Sequence, residues 1–277
     1  MKKSLIFILL VLFLPVASAD TLTLKSGKTV TGKIVEETAE YLKLDFQGVT
    51  IKYFKDEIES FEKKVEVAYG LSVDHLQFLG QRVRIDVYNP GAGTEKRPVV
   101  ILIHGAAGIK GDRAVRYKGF AQSLMNRGMI AINVHYFDSQ KQNWVKTFIK
   151  AIDYAQTIPN ADKTKIGVVG YSLGGGIALR VASWDKRVTA LVVNSGYLPA
   201  GFTKSNAASL PTTYILSGTE DKSINTLYTI QKWFKELGKP FRSKIDQGMG
   251  HTIPMNLFNQ NWRTIVNFFA QTFGLAR

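Results

Sequence analysis

The sequence contains no cysteine. Disulfides, thiolate nucleophiles, cysteine metal ligands and a lipid-modified N-terminal cysteine are therefore all excluded. Histidine is scarce as well: the chain has four, so the choice of a side chain that acts as a base near neutral pH is small. The 277 residues are 45% hydrophobic and 21% charged, which is typical of a globular protein and of neither a disordered nor a fibrous one.

A single long apolar run lies at the N-terminus. Two lysines precede the run at residues 5–14, and the small residues 17–19 follow it. The run is shorter than the roughly 20 residues that span a bilayer. This favours a cleaved signal peptide over residues 1–19, with a mature chain that begins at Asp20; a retained N-terminal anchor is the alternative. The expected location is the periplasm or the exterior of a bacterium, where a large core can dispense with disulfides.

Basic residues outnumber acidic ones in one part of the chain. Residues 20–65 carry eight lysines and nine acidic residues, whereas residues 66–277 carry 26 basic and 13 acidic residues. The basic residues are scattered and accompany no nucleic-acid motif. The pattern favours a solvated surface, with an anionic substrate or envelope surface as an alternative, and we expect no nucleic-acid partner.

Residues 20–65 form a string of short segments in which apolar and polar residues alternate. Turns at residues 26–28 and 47–48 separate these segments, as expected of antiparallel strands. The pattern predicts a small β-barrel or sheet, and it resembles SH3-like or Sm-like barrels. No catalytic constellation is visible, so we expect a structural or docking module for an envelope or protein partner. The predicted strands are residues 21–24, 29–35, 41–46 and 49–54.

Residues 66–277 alternate between apolar strands and helices. The run at residues 99–104 is continuously apolar, as expected of a strand that is buried on both faces of a parallel sheet. Alternation at this spacing predicts an α/β domain with a doubly wound, mostly parallel sheet. The predicted strands are residues 78–88, 99–104, 129–135, 165–170, 188–193, 212–216 and 241–245, and the predicted helices are residues 114–126, 144–156, 173–183, 225–237 and 257–273.

The strongest motif is the sequence GYSLG at residues 170–174. A G-x-S-x-G pattern alone is weak, but here a predicted strand precedes it and a predicted helix follows it. The sharp turn between the two exposes the hydroxyl of Ser172, and small residues at Gly170 and Gly174 let the two backbones pass closely. Ser172 is therefore the predicted nucleophile, with a serine cap in a glycine-rich turn as the alternative.

A serine hydroxyl needs a base to take its proton. His251 lies between the last predicted strand and the terminal helix, on the side of the sheet where Ser172 emerges, and it is the predicted base. Its partner carboxylate is predicted to be Asp221, which follows a strand through Gly218. Glu220 and Asp246 are the competing acids, because spacing alone does not separate them.

Stabilisation of an oxyanion requires two backbone donors. The N–H of Leu173, directly after the nucleophile, is the first predicted donor. The second should come from the glycine-containing loop after residues 99–103, with Ala106 preferred and Gly105 or Ala107 open. His104 begins this loop and is expected to be structural.

Four segments together resemble the dienelactone hydrolase-like branch of the α/β-hydrolase superfamily: VVILIHGAAG, GVVGYSLGGGIAL, ILSGTEDKSI and GMGHTI. The resemblance spans roughly residues 78–277. It implies hydrolysis of an ester, thioester or amide through an acyl-serine intermediate, without cofactor or metal. Founding members of that branch carry cysteine where Ser172 stands and glutamate where Gly105 stands, which disfavours dienelactone itself as the substrate.

The expected activity is that of a secreted carboxylic-ester hydrolase acting on small molecules. A peptidase or acyltransferase could use the same residues, and a catalytically idle scaffold or adhesion protein could use the same fold. The stretch at residues 194–211 has room only for a loop, so we expect an open site that prefers small acyl groups. Side chains expected to line it are Tyr197, Leu198 and Phe202, and basic residues expected to draw in an anion, or to form a solvated helix face, are Lys110, Arg113, Arg116 and Lys118.

Overall fold

The protein divides into two compact units, Met1–Glu66 and Val67–Arg277. The computed structural model describes residues 20–46, 49–62, 69–78, 80–91, 95–105, 117–136, 144–251 and 255–275. The predicted signal peptide, the oxyanion candidate Ala106 with its alternative Ala107, and three of the basic residues (Lys110, Arg113 and Arg116) lie outside the described residues. None of the helices within those residues combines the length and the hydropathy that a bilayer-spanning helix needs.

Five antiparallel strands lie in the described part of the N-terminal unit. They are β1 (Asp20–Leu24), β2 (Thr29–Glu37), β3 (Tyr41–Phe46), β4 (Val49–Phe54) and β5 (Ile58–Glu62), in the spatial order β4-β3-β2-β1-β5. Alternation along the strands turns one set of side chains inward, and Leu22, Leu42 and Ile58 form the small core. The predicted small antiparallel β module is therefore present, with β5 as an additional strand.

Eight strands form the sheet of the C-terminal unit, in the order β13-β12-β11-β10-β8-β9-β7-β6. All neighbouring pairs from β13 to β9 are parallel, whereas β7 runs antiparallel to both β9 and β6. The strands are β6 (Tyr69–Phe78), β7 (Gln81–Pro90), β8 (Arg97–Ile103), β9 (Ile130–Val134), β10 (Ala161–Tyr171), β11 (Val188–Asn194), β12 (Thr212–Gly218) and β13 (Arg242–Asp246).

Helices cover both faces of this sheet, which confirms the predicted doubly wound α/β architecture. The helices are α1 (Lys118–Asn126), α2 (Trp144–Ala155), α3 (Leu173–Trp184), α4 (Lys204–Ala208), α5 (Ile224–Glu236) and α6 (Met255–Thr272). Each face of the sheet has its own hydrophobic core, because successive side chains of a strand point to opposite faces. In β8, Val99, Ile101 and Ile103 belong to the core under α2, α3 and α5. Val100 and Leu102 belong to the core under α1 and α6.

The crossover direction changes between β8 and β10, which are neighbours in the sheet but not in sequence. Chain connections leave these two strands toward opposite sides, so a crevice opens beyond their carboxyl ends. The loop that begins at His104 follows β8, and Ser172 follows β10. The fold thus brings the predicted nucleophile to the place where open α/β sheets bind ligands.

Candidate active site

Ser172 occupies a strained turn between β10 and α3. Its backbone has φ 55° and ψ −119°, a region that only glycine adopts without strain. A Cβ at Gly170 would overlap the carbonyl oxygen of Gly174, and a Cβ at Gly174 would overlap that of Ile103. Both positions therefore require glycine, because strand, turn and helix pass within backbone contact of each other.

The side chains of Ser172, His251 and Asp221 form a continuous chain of contacts. The Oγ atom of Ser172 lies 2.8 Å from Nε2 of His251, and Nδ1 of His251 lies 3.1 Å from each carboxylate oxygen of Asp221. A carboxylate only accepts hydrogen bonds, so Nδ1 carries the proton on that side. In the neutral ring, Nε2 then faces Ser172 as an acceptor, which is the arrangement that a base requires.

Burial separates Asp221 from the competing acids. Its side chain is fully buried, whereas the neighbouring Glu220 is exposed. Asp246 is engaged elsewhere, with Lys244 Nζ at 2.7 Å from one carboxylate oxygen and an amide hydrogen bond from Asn261 to the other. Of the three acids, Asp221 is the one that contacts the imidazole.

The electrostatic setting keeps Asp221 ionised. Burial acts to raise the pKa of its carboxyl, but the backbone N–H of Ser223, the nearby hydroxyls of Ser223 and Ser195 and the imidazole of His251 lower that pKa below its ordinary value. The backbone N–H of Ser223 lies 2.8 Å from Oδ1 of Asp221. The donors outweigh the loss of solvent, so Asp221 presents a negative charge to the imidazole.

The loop that carries Asp221 and the loop that carries His251 are hydrogen-bonded to each other. The backbone N–H of Glu220 donates to the carbonyl oxygen of Met249 at 3.0 Å, and the N–H of Gly248 donates to the Thr219 hydroxyl at 2.8 Å. A Cβ at Gly218 would overlap the carbonyl oxygen of Met249. Close backbone contact at this glycine therefore sets the position of His251 relative to Asp221.

Two tyrosines contact His251. The Tyr171 hydroxyl donates to the carbonyl oxygen of His251 at 2.6 Å. The Tyr197 ring lies 5.2 Å from the imidazole between centroids, and its hydroxyl lies 3.5 Å from Nδ1. Tyr197 is 44% exposed, so it borders the site on the solvent side. This role of Tyr171 cannot be predicted from the sequence, because nothing in a local motif indicates an acceptor 80 residues away.

The loop after β8 lies against the nucleophile. A Cβ at Gly105 would lie 3.1 Å from Cβ of Ser172, so a larger residue there would press on the serine. His104 is buried, its ring is 4.4 Å from that of Tyr136, and its carbonyl oxygen accepts a 2.7 Å hydrogen bond from the Tyr136 hydroxyl. Leu173 is the first residue of α3, where a backbone N–H has no intrahelical acceptor.

The three predicted lining residues divide between site and core. Tyr197 lies at the site, whereas Leu198 packs against the core under α3, and Phe202 is buried with its ring 6.5 Å from that of Trp233. The stretch expected to be only a loop includes the short helix α4, which packs against α3 and α5. Across the described residues, no three His, Asp or Glu side chains are grouped to hold a metal ion.

Fold and site together define an α/β-hydrolase with serine at the nucleophile position. Residues 85–271 match the model of the dienelactone hydrolase family. The chain belongs to this family.

Individual relatives are distant. The quorum-quenching protein AidA of Acinetobacter baumannii is 28% identical over 194 residues, which cover 65% of this chain and 60% of that protein. This match and three others span 34% to 60% of the length of the curated proteins concerned. Among solved structures, Thermogutta terrifontis esterase 2 has a TM-score of 0.64 at 16% identity, covering 75% of this chain and 96% of that one. Est1E from Butyrivibrio proteoclasticus has a TM-score of 0.59 at 16% identity, covering 73% and 99%.

Proposed function

We propose that the protein hydrolyses carboxylic esters through an acyl intermediate on Ser172, with His251 as the base and Asp221 as its carboxylate partner. The observation that carries this proposal is the unbroken contact chain from the strained Ser172 hydroxyl through His251 to the buried Asp221. A serine that serves only as a helix cap needs neither the strain nor the imidazole. Structural neighbours include esterases from Thermogutta terrifontis and Pyrobaculum calidifontis, which favours an ester as the bond cleaved.

In the first half-reaction, Nε2 of His251 takes the proton of Ser172 as Oγ attacks the ester carbonyl carbon. The carbonyl oxygen becomes an oxyanion, which the Leu173 N–H stabilises at the start of α3, together with an N–H of the loop after β8 for which Ala106 is our candidate. The C–O bond to the alcohol then breaks, and the imidazolium returns its proton to the departing alkoxide.

In the second half-reaction, water repeats the attack on the acyl-serine. His251 takes a proton from the water, the hydroxide oxygen bonds to the acyl carbon, and the Ser172 oxygen leaves and recovers its proton from the imidazolium. Asp221 keeps the Nδ1 proton in place and stabilises the imidazolium in both halves without accepting that proton. The products are the free alcohol and the carboxylic acid.

The proposed substrate has a small acyl group. The helix α4 lies against α3 and α5 and is five residues long. Tyr197 is 44% exposed beside the imidazole. These features support an open site that holds a short acyl chain better than a long one. We expect nitrophenyl acetate and butyrate to be cleaved and the decanoate ester to react poorly; the reverse preference would contradict the open site.

A fluorophosphonate probe tests the nucleophile directly, because it phosphonylates only an activated serine. We expect labelling of the wild type and none of Ser172→Ala. Asp221→Asn should lower kcat by about 10³–10⁴-fold, while its matched control Glu220→Gln stays within twofold of wild type. A folded wild type that the probe does not label would favour the idle scaffold.

We also propose that the protein is exported, on the basis of the basic start, the apolar run and the small residues that follow it. N-terminal sequencing of the protein isolated from the periplasm or medium of its bacterial source should give a chain that starts at Asp20. A chain that retains the apolar run in the membrane fraction would instead support an N-terminal anchor.

A further inference from the structure

Ser195 shares an unusual backbone feature with Ser172. Among the described residues other than glycine, these two serines have a positive φ, at 50° for Ser195 and 55° for Ser172. They follow directly on the neighbouring strands β11 and β10. A positive φ strains any residue with a side chain, so the second strained serine also calls for an explanation.

The side chain of Ser195 is buried beside the triad. The residue is 1% exposed, and among the described residues its Oγ has no hydrogen-bond partner of good geometry. The backbone N–H of Ser195 donates to the carbonyl oxygen of Leu216 at 2.8 Å, which ties the residue to the strand that leads to Asp221. A buried hydroxyl left without a partner is unfavourable, so its neighbour Asp221 is the group to consider.

Asp221 is the acceptor that the electrostatics of the site indicate for this hydroxyl. Against burial, which raises the pKa of Asp221, the Ser195 hydroxyl acts with the Ser223 donors and His251 to lower it. The Ser223 N–H and the imidazole occupy two directions around the carboxylate. Two oxygens offer about four acceptor directions, so the carboxylate has capacity for a third donor from the β11 side.

We propose that Ser195 is a positioning residue of the triad, whose hydroxyl donates to the Asp221 carboxylate and holds it in line with His251. The proposal rests on the proposed function of the triad. A glycine at this position would relieve the strain and remove the buried hydroxyl together. The strained backbone aims the donor at the acid, much as the turn at Ser172 aims the nucleophile at the base.

Two variants distinguish the effect of the Ser195 hydroxyl from the effect of the strained backbone. Ser195→Ala removes the hydroxyl and keeps the strain, whereas Ser195→Gly removes both. We expect kcat/KM to fall roughly tenfold in each, the loss that follows from one hydrogen bond to a charged group. Ser195→Gly should melt at or above the wild-type temperature, so its loss of activity has no origin in lost stability. Ser183→Ala, which removes a buried hydroxyl bonded to the Arg180 carbonyl oxygen in α3, is the matched control and should stay within twofold.

The pH profile distinguishes positioning from a purely structural role. The titratable groups that face Asp221 in the described residues are His251 and, at longer range, Tyr197. With one donor fewer, more of the negative charge of Asp221 acts on the imidazole and favours its protonated form, so the acid limb of kcat/KM, where the base becomes protonated, should move upward in both variants. In an Asp221→Asn background, Ser195→Ala should cause no further loss, because the hydroxyl acts through the carboxylate.

The proposal is overturned if Ser195→Gly and Ser195→Ala keep wild-type kcat/KM and an unmoved acid limb. It is equally overturned if the loss persists undiminished in the Asp221→Asn background. Should Ser195→Ala fail to fold, Ser195→Gly alone decides, since it carries no strain. Fluorophosphonate labelling distinguishes failure of the proposed function from failure of the role of Ser195. An unlabelled wild type overturns both. A labelled wild type whose Ser195 variants keep the wild-type kcat/KM overturns the role of Ser195 alone.

Discussion

The hydroxyl of Tyr171 donates a 2.6 Å hydrogen bond to the carbonyl oxygen of His251. The two rings lie nearly parallel, with an angle of 18° and centroids 5.8 Å apart. The last residue of β10 therefore holds the backbone of the proposed base, while the next residue carries the proposed nucleophile. The carboxyl end of β10 therefore sets the distance between the Ser172 hydroxyl and the His251 imidazole, the two groups that exchange the proton in the proposed mechanism.

Removing this hydrogen bond should reduce activity more than stability. We expect Tyr171→Phe to lower kcat/KM by about three- to tenfold, the range that one net hydrogen bond of about 0.5–1.5 kcal/mol allows. Steady-state kinetics on a short-chain nitrophenyl ester measures this. Tyr228→Phe, which alters an exposed tyrosine on α5, is the control. Equal activity of the two variants would show that the Tyr171 hydroxyl does not position His251.

The strain at Ser172 should be visible in stability. Ser172→Ala and Ser172→Gly are both expected to be inactive, but the glycine variant relieves a backbone conformation that costs about 1–3 kcal/mol. We therefore expect Ser172→Gly to melt several degrees above Ser172→Ala in thermal unfolding. Identical melting temperatures would mean that the turn is not strained.

Steric contact at Gly218 should couple stability to the position of the base. A Cβ in Gly218→Ala would meet the backbone of Met249, and overpacking of this kind costs typically 1–3 kcal/mol. We expect a lower melting temperature and a lower kcat/KM. At Gly250, in the same loop as His251, a Cβ would meet no described atom within 4 Å. Gly250→Ala should therefore keep the wild-type melting temperature, and an equal loss in both variants would argue against a specific clash.

Acid should weaken the fold partly through Asp221. The pKa of its carboxyl lies below the ordinary value of 3.8 despite burial, because donors from Ser223, Ser195 and His251 favour the anion. This contribution to stability is complete above that ordinary value and is lost as pH falls through the lower folded-state pKa. Below about pH 4, the free energy of unfolding of the wild type should thus fall more steeply than that of Asp221→Asn. Denaturant unfolding at several pH values measures both slopes, and parallel slopes would contradict the shift.

Much of the C-terminal fold could be predicted, because the sequence pattern indicates where its strands and helices begin and end. The predicted helix at residues 173–183 is observed as Leu173–Trp184, and the predicted strand at 188–193 as Val188–Asn194. The strand β6 was missed, since Leu71 and Val73 are exposed on it and its pattern does not stand out as a buried segment. The helix α4 was missed because five residues are too short to show helical periodicity.

The site could be predicted where a motif constrains the backbone and less where contacts come from distant segments. The glycines around Ser172 indicated the turn in advance. The choice between Glu220 and Asp221 depended on which side chain turns inward, and the sequence does not contain that information for adjacent loop residues. Tyr171 and Ser195 depend on acceptors far away in the chain, so the structure was needed to find them.

The bonding between the acid and base loops has a thermal consequence. Strand β13 is an edge strand of the sheet. The backbone carbonyl oxygen of its last residue, Asp246, accepts a 3.1 Å hydrogen bond from the N–H of Thr219, two residues before Asp221. Fraying of this edge strand would release the loops of Asp221 and His251 together, since edge strands open at a lower free-energy cost than central strands. Heating should therefore switch catalysis off abruptly, at a temperature set by this edge strand and below the one at which the whole sheet melts.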